Sequence, residues 1–136
     1  GNFESGLGYS PISPNRIADT RSGIGGVAAQ SIGSNAGNGT PLEVSIAGNS
    51  GIPLSGVTAV SLNVTALGIS TSPYGGYITV YPCDNRPNAS NLNFVAGQIV
   101  PNAVIAPVST RGTVCFYVYG IANIVIDVNG YVNNVA

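Results

Sequence analysis

Residues 114–131, VCFYVYGIANIVIDVNGY, alternate their side chains at a period of two in a pair of runs flanking Tyr119-Gly120. In the first run Val114, Phe116 and Val118 share one face, and Cys115, Tyr117 and Tyr119 the other. In the second, Ile124, Ile126 and Val128 oppose Val125, Asp127 and Asn129. Successive side chains point to opposite sides of a pleated strand, so this pattern builds strands and not a helix. The opposite faces are only partly polar, which points to central strands covered on both sides. Tyr119-Gly120 and Asn129-Gly130 supply turn chemistry at the ends. The expectation is a hairpin around which the rest of the chain packs.

The same alternation recurs upstream. Leu42, Val44 and Ile46 oppose Glu43 and Ser45; after a turn at residues 48–51, Val60, Leu62 and Val64 oppose Ser61, Asn63 and Thr65 within residues 57–67. A turn at residues 72–76 leads into a short strand over 77–81, followed by Pro82-Cys83 and a polar loop over 84–90. Residues 91–94, 98–100 and 103–108 read as further short strands, broken at Gly97 and Pro101. Strands recur about every ten residues, eight or nine in all, and no amphipathic helix intervenes. The pattern predicts an all-β protein, an antiparallel β-sandwich or jelly roll, over residues 16–136.

Residues 1–15 stand apart as an N-terminal arm. Phe3, Leu7 and Tyr9 fall on one side of a period-two pattern, and Pro11 and Pro14, which flank Ile12, rule out a helix. Two readings fit this extended segment. It is a disordered leader or linker, or it is a strand that pairs with another subunit through Phe3, Leu7, Tyr9 and Ile12. The chain opens on Gly1, and the expectation is a mature, processed polypeptide.

Composition narrows the chemistry. At 136 residues the chain fits one domain, and only 7% of it is charged, far below the usual quarter. With four arginines, no lysine and a net charge of −1 there is no basic patch, so nucleic acid and anionic membrane are not expected partners. No apolar run approaches the roughly 20 residues of a membrane helix. Serine or cysteine nucleophiles need a nearby base, and the absence of His and Lys excludes Ser-His-Asp, Cys-His and Ser-Lys arrangements. Glu4, Asp19, Glu43, Asp84 and Asp127 are the only acids, and none sits in the aromatic and amide cluster of a sugar cleft. Asp127-Val128-Asn129-Gly130 lacks the late acid of a calcium loop, and Asp84-Asn85 offers too few ligands. No enzymatic activity, metal or cofactor is expected.

Arg16, Asp19, Arg21 and Asp127 are charges set among apolar strands, where they must be paired or reach water. Structural ion pairs are the first reading, with Asp19 between two arginines and Asp127 taking the other guanidinium; recognition of a sugar or carboxylate by Arg16 or Arg21 is the second. Tyrosines supply contact area with a polar tip, and Tyr74, in a Pro-Tyr-Gly-Gly turn, is the best candidate for a ligand contact. Asn38, Asn63 and Asn88 match the N-glycosylation pattern; Asn63 lies mid-strand, which leaves the loop positions Asn38 and Asn88. Cys83 and Cys115 fit either an extracellular disulfide or two buried free thiols, and without histidine they make no ordinary zinc site. A bridge would close a loop of about thirty residues, worth on the order of 3–4 kcal/mol in the chain-entropy account.

Six segments, RIADTR (16–21), VTAVSLNVTA (57–66), GGYITVYPC (75–83), NASNLNFVAGQIVPNAVI (88–105), GTVCFYVYG (112–120) and IVIDVNGY (124–131), occur in an order that resembles a module of secreted and surface proteins of Gram-positive and related bacteria, notably actinobacteria. They span nearly the whole chain after residue 15. The resemblance implies an extracellular β-domain, often attached to other modules, with no defined catalytic activity, and it implies a Cys83–Cys115 pair. The function expected is that of a small secreted structural protein: copies of itself polymerise into a cell-surface filament or matrix through the arm. The alternative is a carbohydrate-binding or adhesive module that meets cell-surface glycans through loop tyrosines and arginines.

Overall fold

A computed structural model of the chain describes residues 7–33, 41–73, 75–85 and 90–134. Nine strands and no helix occupy the described residues: β1 (Leu7–Asp19), β2 (Ile32–Gly33), β3 (Leu42–Ser45), β4 (Val57–Ser70), β5 (Gly76–Pro82), β6 (Leu92–Phe94), β7 (Ile99–Pro107), β8 (Thr113–Tyr119) and β9 (Ile121–Asn134). They form two antiparallel sheets. One runs β1-β9-β4-β7, with β2 also on β9; the other runs β3-β8-β5-β6. Pairing is nested along the chain: β1 with β9, β3 with β8, β4 with β7, β5 with β6.

The expected all-β sandwich is what forms, because the alternating runs deliver one apolar face each to a shared interior. Val60, Leu62, Val64 and Ala66 of β4 and Ile124, Ile126 and Val128 of β9 are fully buried. Opposite them lie Ile78 and Val80 of β5, and Val114, Phe116 and Val118 of β8. Each of these side chains other than Ala66 contributes roughly 1.5–3 kcal/mol through its removal from water.

β8 and β9 do not form the expected hairpin. They lie in different sheets, and the chain passes from one to the other through Gly120 alone. Gly120 has a φ of 98°, and a Cβ there would lie 2.9 Å from the Ser70 carbonyl oxygen. Two alternating strands can share a core side by side in one sheet or face to face across it, and their pattern is the same either way. Glycine at the corner permits the second arrangement.

Pro101 does not break a strand. β7 runs through it, because Val108 N–H donates to the Thr58 carbonyl and Gly68 N–H donates to the Gln98 carbonyl. Even-numbered residues therefore face β4, while Pro101 and Pro107 direct their missing donors toward the open edge, where proline costs no ladder bond.

β9 carries a bulge. Ser61 pairs with Gly130 but Leu62 pairs with Val128, so Asn129 is the extra residue and the inward–outward alternation flips beyond it. Tyr131 thereby packs on the core, and Gly130 is turned to the outer face of the sheet.

The boundary expected at residue 15 falls inside β1, which runs past it to Asp19. Residues 7–11 of the segment read as an arm are extended, and they pair with residues 130–134 of β9 in the same chain. Among the described residues no helix is long and apolar enough to cross a membrane.

Candidate functional site

β1 is two strands in one. Its register on β9 shifts between Pro11 and Asn15, and again between Arg16 and Ala18. In the second part Ile17 and Ala18 are buried, and Arg16 stands opposite Asp127. Arg16 Nε donates to Asp127 Oδ1 at 3.0 Å and Nη2 to Oδ2 at 3.5 Å. Arg21 Nε and Nη2 donate to the two oxygens of Asp19 at 3.0 and 2.8 Å, and the Arg21 backbone N–H adds a third bond at 2.9 Å. Arg16 Nη1 lies 3.9 Å from Asp19 Oδ2 and links the two pairs. The structure thus brings Arg21, Asp19, Arg16 and Asp127 into one strip.

These bonds set the charge states. The Arg21 guanidinium holds the buried Asp19 carboxyl below its ordinary value, against the opposing pull of burial. Asp127 raises Arg16, and Asp19 raises Arg21. Beside them the buried Thr20 hydroxyl accepts from Ile124 N–H at 2.9 Å and donates to Asn123 Oδ1 at 2.9 Å.

The first part of β1 is held differently. Tyr9, 55% exposed, lies across Gly130 on the outer face, where a Cβ on Gly130 would overlap the ring. Ile12 packs partly buried against the core, and Ser13, Pro14 and Asn15 are exposed. Of the four arm residues, then, Tyr9 and Ile12 rest on their own chain. Leu7 lies in the strand, and Phe3 is outside the described residues.

The outer face of the four-stranded sheet carries a different group. The Tyr77 and Tyr119 rings stack at 5.3 Å with 16° between their planes, and Tyr117 meets Tyr77 at 6.1 Å, tilted by 49°. The Cys83–Cys115 disulfide joins the turn that follows β5 to β8, with a sequence separation of 32. Glu43 accepts from Arg111 Nη2 at 2.8 Å, and Arg111, then Thr113, lowers its carboxyl below the ordinary value. The Glu43 carboxylate also nears the two cysteine sulfurs. Sulfurs joined in a disulfide are not thiolates, so this cluster holds no metal.

Asp84 accepts from the Thr110 backbone N–H at 3.2 Å and its hydroxyl at 3.3 Å. Every carboxylate among the described residues is therefore engaged, and none stands as an unattached acid or base. A shallow hollow of about 300 Å³ beside Leu54, Ser109 and Arg111, and another of about 350 Å³ beside Gly76, Asn93 and Phe94, are open to solvent. Tyr74, Asn38 and Asn88 lie outside the described residues. Asn63 sits mid-strand in β4, paired with Ala103 and Asp127.

Sequence reasoning missed the seat that Gly130 provides for Tyr9. Asn129-Gly130 has turn chemistry, and nothing local distinguishes a turn from a bulge inside a long strand. The chain matches no protein-family profile, no curated protein and no solved structure.

Proposed function

We propose that the chain is a non-enzymatic structural subunit of an extracellular polymer, a filament or matrix at the cell surface, whose copies join through the N-terminal strand. One observation carries this reading. Residues 7–12 form an outermost strand on β9, separated by an exposed three-residue segment from the part of β1 that the Arg16–Asp127 pair and the buried Ile17 and Ala18 hold down. A strand so attached is the part of the molecule most readily offered to a neighbour. The Cys83–Cys115 disulfide supports an oxidising, extracellular setting. Only 7% of residues are charged, so little repulsion opposes close approach of copies.

Electron microscopy and sedimentation of the full chain at rising concentration test the proposal. Polymers are expected, and deletion of residues 1–13 is expected to leave a folded, monomeric domain. Unchanged polymerisation by the truncated chain would contradict the role of the strand.

The second reading, a carbohydrate-binding or adhesive module, is favoured by Tyr77, Tyr117 and Tyr119 on the outer face of the four-stranded sheet, with Tyr119 39% exposed. Glycan-array binding that is lost in Tyr119→Ala supports it, and a blank array argues against it.

A further inference from the structure

We infer that the joint between copies is an exchanged strand: residues 7–12 of one copy leave their own β9 and take the same seat on the β9 of a second copy, with Tyr9 over that copy's Gly130. The inference rests on the polymer reading above and specifies its contact.

The seat is built into β9. It presents residues 130–134 for antiparallel pairing with residues 7–11, a side-chain-free notch at Gly130 that the Tyr9 ring fills, and a core position for Ile12. Every one of these contacts is the same whether the strand comes from the same chain or from another. Exchange therefore requires no new complementary surface, which is why swapping of identical elements is a low-cost route to association.

The hinge is equally local. Ser13, Pro14 and Asn15 are exposed and coincide with the register shift in β1, so straightening them breaks no buried packing and gives up the exposed Asn15–Ser50 bond, 2.6 Å, and the Asn15–Val128 pairing. Pro11 and Pro14 fix φ near the extended value and bias the residues before them toward extended backbone, so the connector already favours a straight path. Beyond the hinge the chain is anchored. Arg16 is tied to Asp127, Thr20 exchanges bonds with Ile124 through its backbone N–H and its hydroxyl, and Ile17 and Ala18 are buried. Residues 13–15 span at most about 10 Å when extended, so donor and acceptor must abut.

Another acceptor is conceivable: a released strand could add to the open edge of β7. Pro101 and Pro107 face that edge and remove two of its donors, which blunts it against strand addition. β9 keeps its full pairing pattern and its notch. Each copy would donate one strand and accept one, a head-to-tail contact that does not close on itself.

The test is a cysteine pair at Gly8→Cys and Asn133→Cys, positions that face each other between β1 and β9. Chains of two sizes, one carrying a tag, are mixed, assembled, oxidised only then, and run denatured without reductant. A ladder of covalent multimers that includes mixed-size dimers is expected, against single chains when oxidised dilute. Polymers that resolve entirely into single chains would overturn the exchange and leave the polymer reading standing. No polymer at any concentration would remove both. Independently, a tenfold excess of a peptide of residues 1–12 is expected to shorten polymers of the unmodified protein at least severalfold, and the Tyr9→Ala peptide to leave them unchanged. Equal growth with either peptide contradicts the seat.

Discussion

Gly130 carries no side chain, and the ring of Tyr9 occupies the space that one would take. Gly130→Ala should therefore cost about 1–3 kcal/mol by overpacking, with the loss concentrated in residues 7–12. In a Tyr9→Ala background the same substitution should cost measurably less, and urea melts of the four proteins in this cycle check the coupling. Additive costs would show that the ring is not what fills the notch. Asp19 makes a second prediction. Its folded carboxyl lies below the unfolded value of about 3.9, so the stability it contributes is fully present above that pH and is lost as pH falls through the folded value. Asp19→Asn should lower stability at pH 7 by on the order of 2 kcal/mol and flatten its decline between pH 5 and pH 2. The charges were legible in the sequence because a chain with so few must pair them. The notch was not, because it depends on the bulge at Asn129, a residue that reads equally well as a turn.

At the scale of elements, the strands of the interior follow from alternation alone, since a buried face demands a period of two whichever sheet the strand joins. What alternation leaves open is the partner. β8 and β9 show the consequence: adjacent in sequence and both apolar on one face, they meet across the core because a single glycine at positive φ turns the chain out of one sheet and into the other. β2, two residues long, carries no period to read. Pro101 misleads for a related reason, because proline is excluded from a ladder only on its bonded side, and the sequence does not say which side that is. Pro101→Ala should accordingly leave the fold intact and restore an N–H to the open edge of β7. Faster aggregation in light scattering, at a melting temperature within a few degrees of the parent, is the expected result; unchanged solubility would mean the edge is guarded by something else. The disulfide acts on the same scale. Reduction of Cys83–Cys115 should lower stability by about 3–4 kcal/mol, read as a shift in the denaturation midpoint with and without reductant.

Across the whole molecule, nested pairing joins the first strand to the last, with Leu7 opposite Asn134 and Gly8 opposite Asn133. Such distant pairings close last and reopen first unless side chains lock them. Arg16 on Asp127, Thr20 on Ile124 and the buried Ile17 lock one half of β1, whereas among the described side chains of residues 8–12 Tyr9 and Ile12 are the large ones packed on the rest of the chain, beside backbone bonds. That inequality within one strand is the centre of the account, and amide hydrogen exchange measures it directly. Gly130 and Val132 bond toward Ser61 and Ala59 of β4, so Tyr131 and Asn133 bond toward β1, and Ser10 and Gly8 supply the donors toward β9. In dilute monomer their amides should exchange far faster than those of Leu62 and Ile126, by local opening, and in assembled material they should become strongly protected. Exchange of Gly8 and Ser10 only through global unfolding, at the same rate as the central strands, would contradict it.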